Sequence, residues 1–212
     1  MSDRPKLTRR GLLRGFGTAT VVAGCVKSSA GDGDGETAAP SVDAPVDAEL
    51  VGPGPAPLSL EINGRVQALE VAPNTTLLAA LRDHLDVTGT KEVCDRGACG
   101  ACMVLVDGAP MNACMLLAFD CEGRAITTVE GLASAGRLSP LQEAFVAHDA
   151  AQCGYCTAGM LVSATALVRG PAAGALDRAA IAKGMAGNLC RCGSYHNIIA
   201  AIESVAGGKE GA

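Results

Sequence analysis

The segment Cys94-Asp-Arg-Gly-Ala-Cys99-Gly-Ala-Cys102 carries three cysteines and two glycines, and it decides how the first half of the chain folds. A fourth cysteine, Cys114, follows after eleven intervening residues. Three ligands on one loop and a fourth from a later strand form the arrangement that holds a [2Fe–2S] cluster. Gly97 and Gly100 permit backbone angles that let amide N–H groups point at the cluster sulfurs. We therefore predict that the ligands of a first cluster are Cys94, Cys99, Cys102 and Cys114.

Two other chemistries also use cysteines at this density. Zinc sites prefer paired C-x2–4-C units that close a tetrahedron, and a wrapped loop with a distant fourth ligand fits that pattern poorly. Disulfides need an oxidising compartment, so the cellular setting decides how the ten cysteines of the chain are interpreted. Of the three interpretations, an iron–sulfur cluster matches the spacing best.

A second group of cysteines lies further along the chain. It consists of Cys153-Gly-Tyr-Cys156 and, after 33 intervening residues, Cys190-Arg-Cys192. By themselves these pairs fit either zinc or an iron–sulfur cluster. Each pair lies just before a predicted helix start, where unpaired N–H groups and the helix dipole favour negative charge. Because the first group is in the same chain, we predict that a second [2Fe–2S] cluster is held by Cys153, Cys156, Cys190 and Cys192.

The residues around the first group predict a small mixed sheet crossed by one helix. Two alternating apolar runs flank Asn63-Gly64, which is the strongest short signal for a β-hairpin. Thr75 or Thr76 can cap a following helix, whose leucines fall on one face. The remaining predicted strands are a second hairpin, Met103–Val106 with Pro110–Cys114, and Ala125–Val129.

After Gly131 the strand signals stop and four short helices are predicted. Ser139-Pro140 is an N-cap followed by a first-turn proline. Thr157 and Asp177 are predicted to cap the next two helices, and Ser194 opens the last one. The predicted fold class is therefore α+β, with a sheet domain followed by an all-α domain.

The N-terminal residues have the layout of an export signal. Thr8-Arg-Arg-Gly-Leu-Leu13 precedes a weakly apolar run, which is typical of the twin-arginine route for proteins exported after folding around a cofactor. We therefore expect a leader over residues 1–26 and a periplasmic or other extracytoplasmic location. Val22-Ala-Gly-Cys25 also resembles a lipobox, whereas Ser28-Ser-Ala30 is a competing cleavage site. Lipidation of Cys25, soluble release and an uncleaved anchor all remain open, and residues 27–57 read as a flexible linker.

Composition narrows the class of partner. The chain has 212 residues and a formal net charge of −5, which disfavours nucleic acid as a ligand. It contains no uninterrupted apolar run of about 18 residues, so a membrane is expected only through a lipid anchor. Aromatic residues make up 2% of the chain and Trp is absent, so the core is thin and metal binding is expected to contribute folding energy.

Three motifs together resemble the iron–sulfur subunit of the xanthine oxidase, or molybdenum hydroxylase, family. They are the Cys94–Cys102 segment, Gln152-Cys-Gly-Tyr-Cys-Thr-Ala-Gly159 and Gly187-Asn-Leu-Cys-Arg-Cys-Gly-Ser-Tyr195. The resemblance is greatest to the small subunit of periplasmic aldehyde oxidoreductases, which also carries a twin-arginine leader. It implies a β-grasp, ferredoxin-like domain over residues 58–133, a four-helix domain over 134–207 and a short tail over 208–212.

The resemblance also implies a function and partners. The chain would pass electrons from a molybdopterin centre that hydroxylates aldehydes or N-heterocycles, through both clusters, to flavin or another acceptor. Its partners would be a large molybdenum-cofactor subunit and usually an FAD subunit. Gln152 would hydrogen-bond the pterin, and Cys192 would be the cluster ligand nearest to it. Val93 stands where the family commonly has glycine, which leaves the ligands intact but alters the local loop.

No constellation of catalytic acid, base or nucleophile is visible in the sequence, which agrees with a subunit that conducts electrons. Two alternatives remain at this point: a free-standing exported ferredoxin-like carrier, and a binding module stabilised by zinc or disulfides. Cys121 lies outside both cysteine groups and is expected to be a small structural residue.

Overall fold

The computed structural model describes residues 52–171 and 176–206. The predicted leader with Cys25, most of the predicted linker and the predicted tail lie outside these residues. Five strands form one mixed sheet in the order β2-β1-β5-β3-β4. The strands are β1 (Ala56–Ile62), β2 (Arg65–Val71), β3 (Met103–Val106), β4 (Ala109–Asn112) and β5 (Ala125–Thr127).

The first hairpin forms as the sequence predicts. Asn63 and Gly64 both have positive φ, at 52° and 75°, which is the backbone of a type I′ turn and matches the twist of the flanking strands. Strand β1 pairs antiparallel with β2 and parallel with β5, so it lies inside the sheet. Its alternate residues Leu58, Leu60 and Ile62 are buried, and this fixes which face of the hairpin meets the core.

A helix crosses from the hairpin to the cysteine loop. Helix α1 (Leu77–Ala79) continues as a π-helical turn over Ala80–His84. The Thr76 hydroxyl accepts a hydrogen bond from Ala79 N, so this residue is the predicted cap. Leu77 and Leu81 are fully buried against the sheet domain, and the helix is shorter than the leucine spacing predicts.

Four helices follow the sheet. They are α2 (Pro140–Ala147), α3 (Thr157–Arg169), α4 (Arg178–Gly184) and α5 (Tyr195–Ala206). Ser139 and Gln142 form a reciprocal capping box at the start of α2, and Asp177 caps α4 through Ala180 N. The prediction that Thr157 caps α3 is wrong, because Cys156 already has helical φ and ψ and occupies the cap position.

Two hydrophobic cores meet at strand β3. Val104 and Val106 lie in the core of the sheet domain, whereas Leu105 between them lies in the core of the helices. This alternation follows from the two-residue period of a strand. The α+β fold class, a β-grasp ferredoxin-like domain followed by a helical domain, is confirmed. Within residues 52–171 and 176–206, no helix combines the length and apolar character needed to cross a bilayer.

Candidate metal centres

The first cysteine loop is held by its own amide groups. Gly97 N donates a hydrogen bond to Cys114 Sγ over 3.3 Å, and Ala98 N donates to Cys94 Sγ over the same distance. Gly97 has a φ of +69°, in the left-handed region that a side chain disfavours. The loop therefore directs N–H dipoles at sulfur, as a negatively charged cluster requires.

The fourth cysteine of this group lies on a turn rather than on a strand. Strand β4 ends at Asn112, and Cys114 belongs to a 3₁₀ turn over Ala113–Met115. The hydrogen bond from Ala113 N to Cys102 O, 3.1 Å long, ties this turn to the loop. The predicted strand Pro110–Cys114 is thus too long, because the chain must leave the sheet to bring the Cys114 sulfur to the loop.

The four cysteines of the first group differ in burial and in thiol pKa. Cys99, Cys102 and Cys114 are 7%, 2% and 6% exposed, whereas Cys94 is half-buried. Burial raises the pKa of the Cys102 thiol to about 12. A hydrogen bond from the Arg96 backbone, aided by the Cys99 thiol, lowers the pKa of Cys94 to about 7. A thiolate at Cys102 therefore needs adjacent positive charge, which the ferric ions of a bound cluster would supply.

The second group is assembled from two loops that precede helices. Cys153 contacts Cys192, and Cys156 contacts Cys190. Each cysteine of the first loop therefore lies next to one cysteine of the second loop. Cys153 and Cys192 are exposed, whereas Cys156 and Cys190 are half-buried. Burial, aided by the Cys190 thiol, raises the pKa of Cys156 to about 12. A thiolate at Cys156 therefore needs adjacent positive charge in the same way as one at Cys102.

A hydroxyl and an amide organise the loop that carries Cys190. The Tyr195 hydroxyl accepts a hydrogen bond from Cys190 N over 2.8 Å and donates to Asn188 O over 3.2 Å. Ser194 N donates to Cys190 Sγ over 3.4 Å. Sequence reasoning assigned no role to Asn188 or Tyr195, although both lie in the motif that carries Cys190 and Cys192.

The two cysteine groups are joined directly by the backbone. Leu189 N, next to Cys190, donates a hydrogen bond of 2.9 Å to the carbonyl of Cys99. The buried Asn188 side chain donates to Gly100 O over 3.1 Å. A Cβ on Gly159, in the first turn of α3, would overlap that same carbonyl oxygen. Glycine at position 159 thus allows the helical domain to approach the first loop closely.

Cysteines of both groups line one cavity of about 620 Å³. Its apolar rim is exposed, with Val93, Tyr155 and Leu189 at 55%, 56% and 54% exposure. Val93, the residue that departs from the resembled family, therefore lies at the rim and leaves the four first-group cysteines in place. The five cysteines that line the cavity are Cys94, Cys99, Cys153, Cys156 and Cys190.

The other predicted site residues are placed as follows. Gln152 is exposed and precedes Cys153, while Cys121 is fully buried in the core of the sheet domain. All nine cysteines within the described ranges are free thiols. In the same ranges, no group of three or more Cys, His, Asp or Glu side chains converges tightly enough to hold a single metal ion. The donor set instead fits a larger binuclear cluster: four thiolates per set, with amide N–H groups directed at their sulfurs.

Comparison with known proteins agrees with this chemistry. Residues 60–133 match the 2Fe-2S iron-sulfur cluster binding domain, and residues 128–203 match the [2Fe-2S] binding domain. The aldehyde oxidoreductase iron–sulfur-binding subunit of Escherichia coli O157:H7 is 44% identical, over 95% of this chain and 89% of that protein. The chain belongs to the iron–sulfur subunits of the molybdenum hydroxylases. The predicted family, cofactor class and electron-transfer role are thereby confirmed.

Other iron–sulfur subunits and solved structures are similar over the same part of the chain. The nicotine 6-hydroxylase small subunit of Paenarthrobacter nicotinovorans is 45% identical, over 68% of this chain and 86% of that one. The crystal structure of quinoline 2-oxidoreductase from Pseudomonas putida 86 matches with a TM-score of 0.67 and 45% identity, over 72% of this chain and 93% of that one. This iron–sulfur subunit therefore works as part of an oxidoreductase complex with a large molybdenum-cofactor subunit.

Proposed function

We propose that the eight paired cysteines are the cluster ligands and that electrons enter at the second set and leave from the first. The supporting observation is that eight cysteines, spread over 99 residues of sequence from Cys94 to Cys192, contact one another in two sets of four, and that five of them line one cavity. Each cluster supplies a carrier for one electron. The ligands are Cys94, Cys99, Cys102 and Cys114 for the first cluster, and Cys153, Cys156, Cys190 and Cys192 for the second.

The difference in exposure supports the direction of transfer. Cys153 and Cys192 face solvent in this chain, and so does Gln152. A partner that holds a pterin can therefore reach the second set, with Gln152 as a hydrogen-bonding side chain and Cys192 as the nearest ligand. The buried first set is linked to the second through the Cys99 carbonyl and Leu189 N–H. From the first cluster, electrons would pass to an FAD subunit or to another acceptor.

The reaction served by the complex is the hydroxylation of an aldehyde or an N-heterocycle. The names of similar proteins support this range, since they include an aldehyde oxidoreductase, a nicotine 6-hydroxylase and a nicotinate dehydrogenase. The substrate pocket would belong to the large subunit. The cavity beside the cysteines agrees with this, because its lining consists of cysteines, small or apolar residues, two tyrosines and Arg191, with no Asp, Glu or His to act as a base.

The ligand assignment is tested by Cys99→Ser in the purified complex. We expect the electron paramagnetic resonance (EPR) signal of one [2Fe–2S] cluster to disappear while the other stays. Cys121→Ser is the matched control, because Cys121 is equally buried in the same domain but belongs to neither set. If both signals survive in Cys99→Ser, or if Cys121→Ser also loses one, the assignment is wrong.

We further propose export by the twin-arginine route, with Cys25 as a lipid attachment site. The support is the order of Arg9-Arg10, the weakly apolar run and the small residues before Cys25. Replacing Arg9 and Arg10 with Lys should leave the folded protein in the cytoplasm. Cys25→Ala should move it from the membrane to the soluble fraction, and unchanged fractionation would refute lipidation.

A further inference from the structure

Ser194 lies between the second cysteine set and the helix that follows it. The residue is 5% exposed, its carbonyl accepts a hydrogen bond from Ile198 N, and its own N–H donates to Cys190 Sγ over 3.4 Å. The side-chain oxygen is buried and has no hydrogen-bond partner among the described residues. A buried hydroxyl without a partner is unusual in a native protein and calls for a physical reason.

The position of this hydroxyl distinguishes it from the unpartnered hydroxyl of Ser163. Ser163 lies within α3 and lines a different cavity, together with Met103 and Asn188. The Ser194 hydroxyl instead belongs to the residue whose backbone N–H donates to Cys190 Sγ, in the loop that carries the second cysteine set.

Sulfur atoms around a [2Fe–2S] cluster become better acceptors when the cluster is reduced. Four thiolates and two sulfides already outweigh two ferric ions, and reduction adds one electron and no proton. A hydroxyl that donates to one of these sulfurs stabilises the reduced form more than the oxidised form, which raises the reduction potential.

We propose that, when the second cluster is bound, the Ser194 hydroxyl donates a hydrogen bond to the Cys190 sulfur and thereby raises the reduction potential of that cluster alone. This inference rests on the proposed assignment of Cys190 as a ligand. The backbone N–H and the side-chain O–H of Ser194 would then both donate to the Cys190 sulfur. Ser194 is a positioning and tuning residue, and the cluster itself carries the electron.

The test is an EPR-monitored redox titration of the purified complex, with dithionite as the reductant. Ser194→Ala should shift the reduction equilibrium of the second cluster about tenfold toward the oxidised form, which is about 59 mV for one electron. The midpoint of the first cluster should not move. Ser163→Ala is the matched control, because it deletes an equally buried and unpartnered hydroxyl away from the cysteines.

A pair of variants at position 194 separates hydrogen bonding from packing. Thr and Val have nearly the same shape, so Ser194→Thr should retain the native midpoint and Ser194→Val should show the shift of the Ala variant. An unchanged midpoint in Ser194→Ala, or equal midpoints in the Thr and Val variants, would overturn the inference. The Cys190→Ser variant separates failure of the Ser194 inference from failure of the ligand assignment. Survival of the second cluster signal in Cys190→Ser would refute the ligand assignment itself.

Discussion

The two cysteine sets differ in how much of their environment comes from this chain. Three of the four cysteines of the first set are at most 7% exposed, and loop amides donate hydrogen bonds to the sulfurs of Cys94 and Cys114. The second set leaves Cys153 and Cys192 exposed and places its cysteines just before two helices. The first site is therefore enclosed by its own domain, whereas the second is open to solvent at Cys153 and Cys192, as the proposed entry of electrons there requires. An electron carrier within a complex needs both properties, since one cluster must meet the donor.

Replacing one cysteine from each set gives the largest expected effect. Cys102→Ser should abolish the first cluster signal and destabilise the sheet domain, because the side chain is 2% exposed within its core. Cys192→Ser should abolish only the second signal, with a smaller loss of thermal stability, because that side chain is exposed. EPR and thermal unfolding of the two variants measure this difference. An equal loss of thermal stability in the two variants would contradict the distinction between an enclosed first site and an open second site.

The close approach between the two sites is tested at Gly159. A methyl group there would overlap Gly100 O, so Gly159→Ala should cost about 1–3 kcal/mol of unfolding free energy, as overpacking does. Because the methyl group would push α3 away from the first cysteine loop, it should also weaken the magnetic interaction between the two reduced clusters. Gly187→Ala is the matched control, because a Cβ there meets open space and should change stability by less than about 0.5 kcal/mol. A Gly159→Ala variant as stable as Gly187→Ala would show that the contact is not tight.

Removing the Tyr195 hydroxyl should moderately lower the stability of the loop that carries Cys190. Tyr195→Phe leaves Cys190 N and Asn188 O without their shared partner, which should cost about 1 kcal/mol. The second cluster should then be lost faster on exposure to chelator, while the first is retained. Tyr155→Phe, at an exposed position on the cavity rim, serves as the control and should behave like the native chain. Equal rates for both clusters would contradict a local role for Tyr195.

The smallest effect is expected from a surface ion pair in the sheet domain. The Asp107 carboxylate accepts hydrogen bonds from Arg124 Nε over 2.7 Å and from Ala125 N over 2.9 Å, and these bonds hold its pKa below the usual value. A lowered folded-state pKa stabilises the fold above the unfolded pKa, and this contribution disappears as pH falls through the folded pKa. Asp107→Asn should therefore lower thermal stability slightly at pH 7 and not at strongly acidic pH, with both cluster signals unchanged. A larger loss than in Tyr195→Phe would reverse the expected order.

Features with local causes could be predicted from the sequence. The Asn63-Gly64 turn, the cap at Ser139 and the cap at Asp177 each depend on residues within about four positions, and all three form as expected. The spacing of the first four cysteines likewise predicted the cofactor class, whereas the second four needed the presence of the first group and the family resemblance. The cap at Thr157 was misassigned by one residue, because a turn through Gly154 lets the helix begin earlier.

Features that depend on distant contacts could not be predicted in this way. The turn that carries Cys114 is set by its hydrogen bond to Cys102, and the contact of Leu189 with Cys99 joins positions 90 residues apart. The approach of Gly159 to Gly100 and the unequal burial of the two sets also require the packed fold. Loop angles and cysteine spacing indicate the proposed ligands, whereas the packing between the domains determines how closely the two cysteine sets approach each other.

The most direct test of the account is reductive titration of the complex that co-purifies with the molybdenum-cofactor subunit. EPR spectroscopy during stepwise addition of dithionite should reveal two [2Fe–2S] signals with different g values and different midpoint potentials, together about two spins per chain. A colourless protein that contains zinc, or a single cluster signal that survives in both Cys102→Ser and Cys192→Ser, would contradict the claim that this chain carries two clusters in two unlike sites.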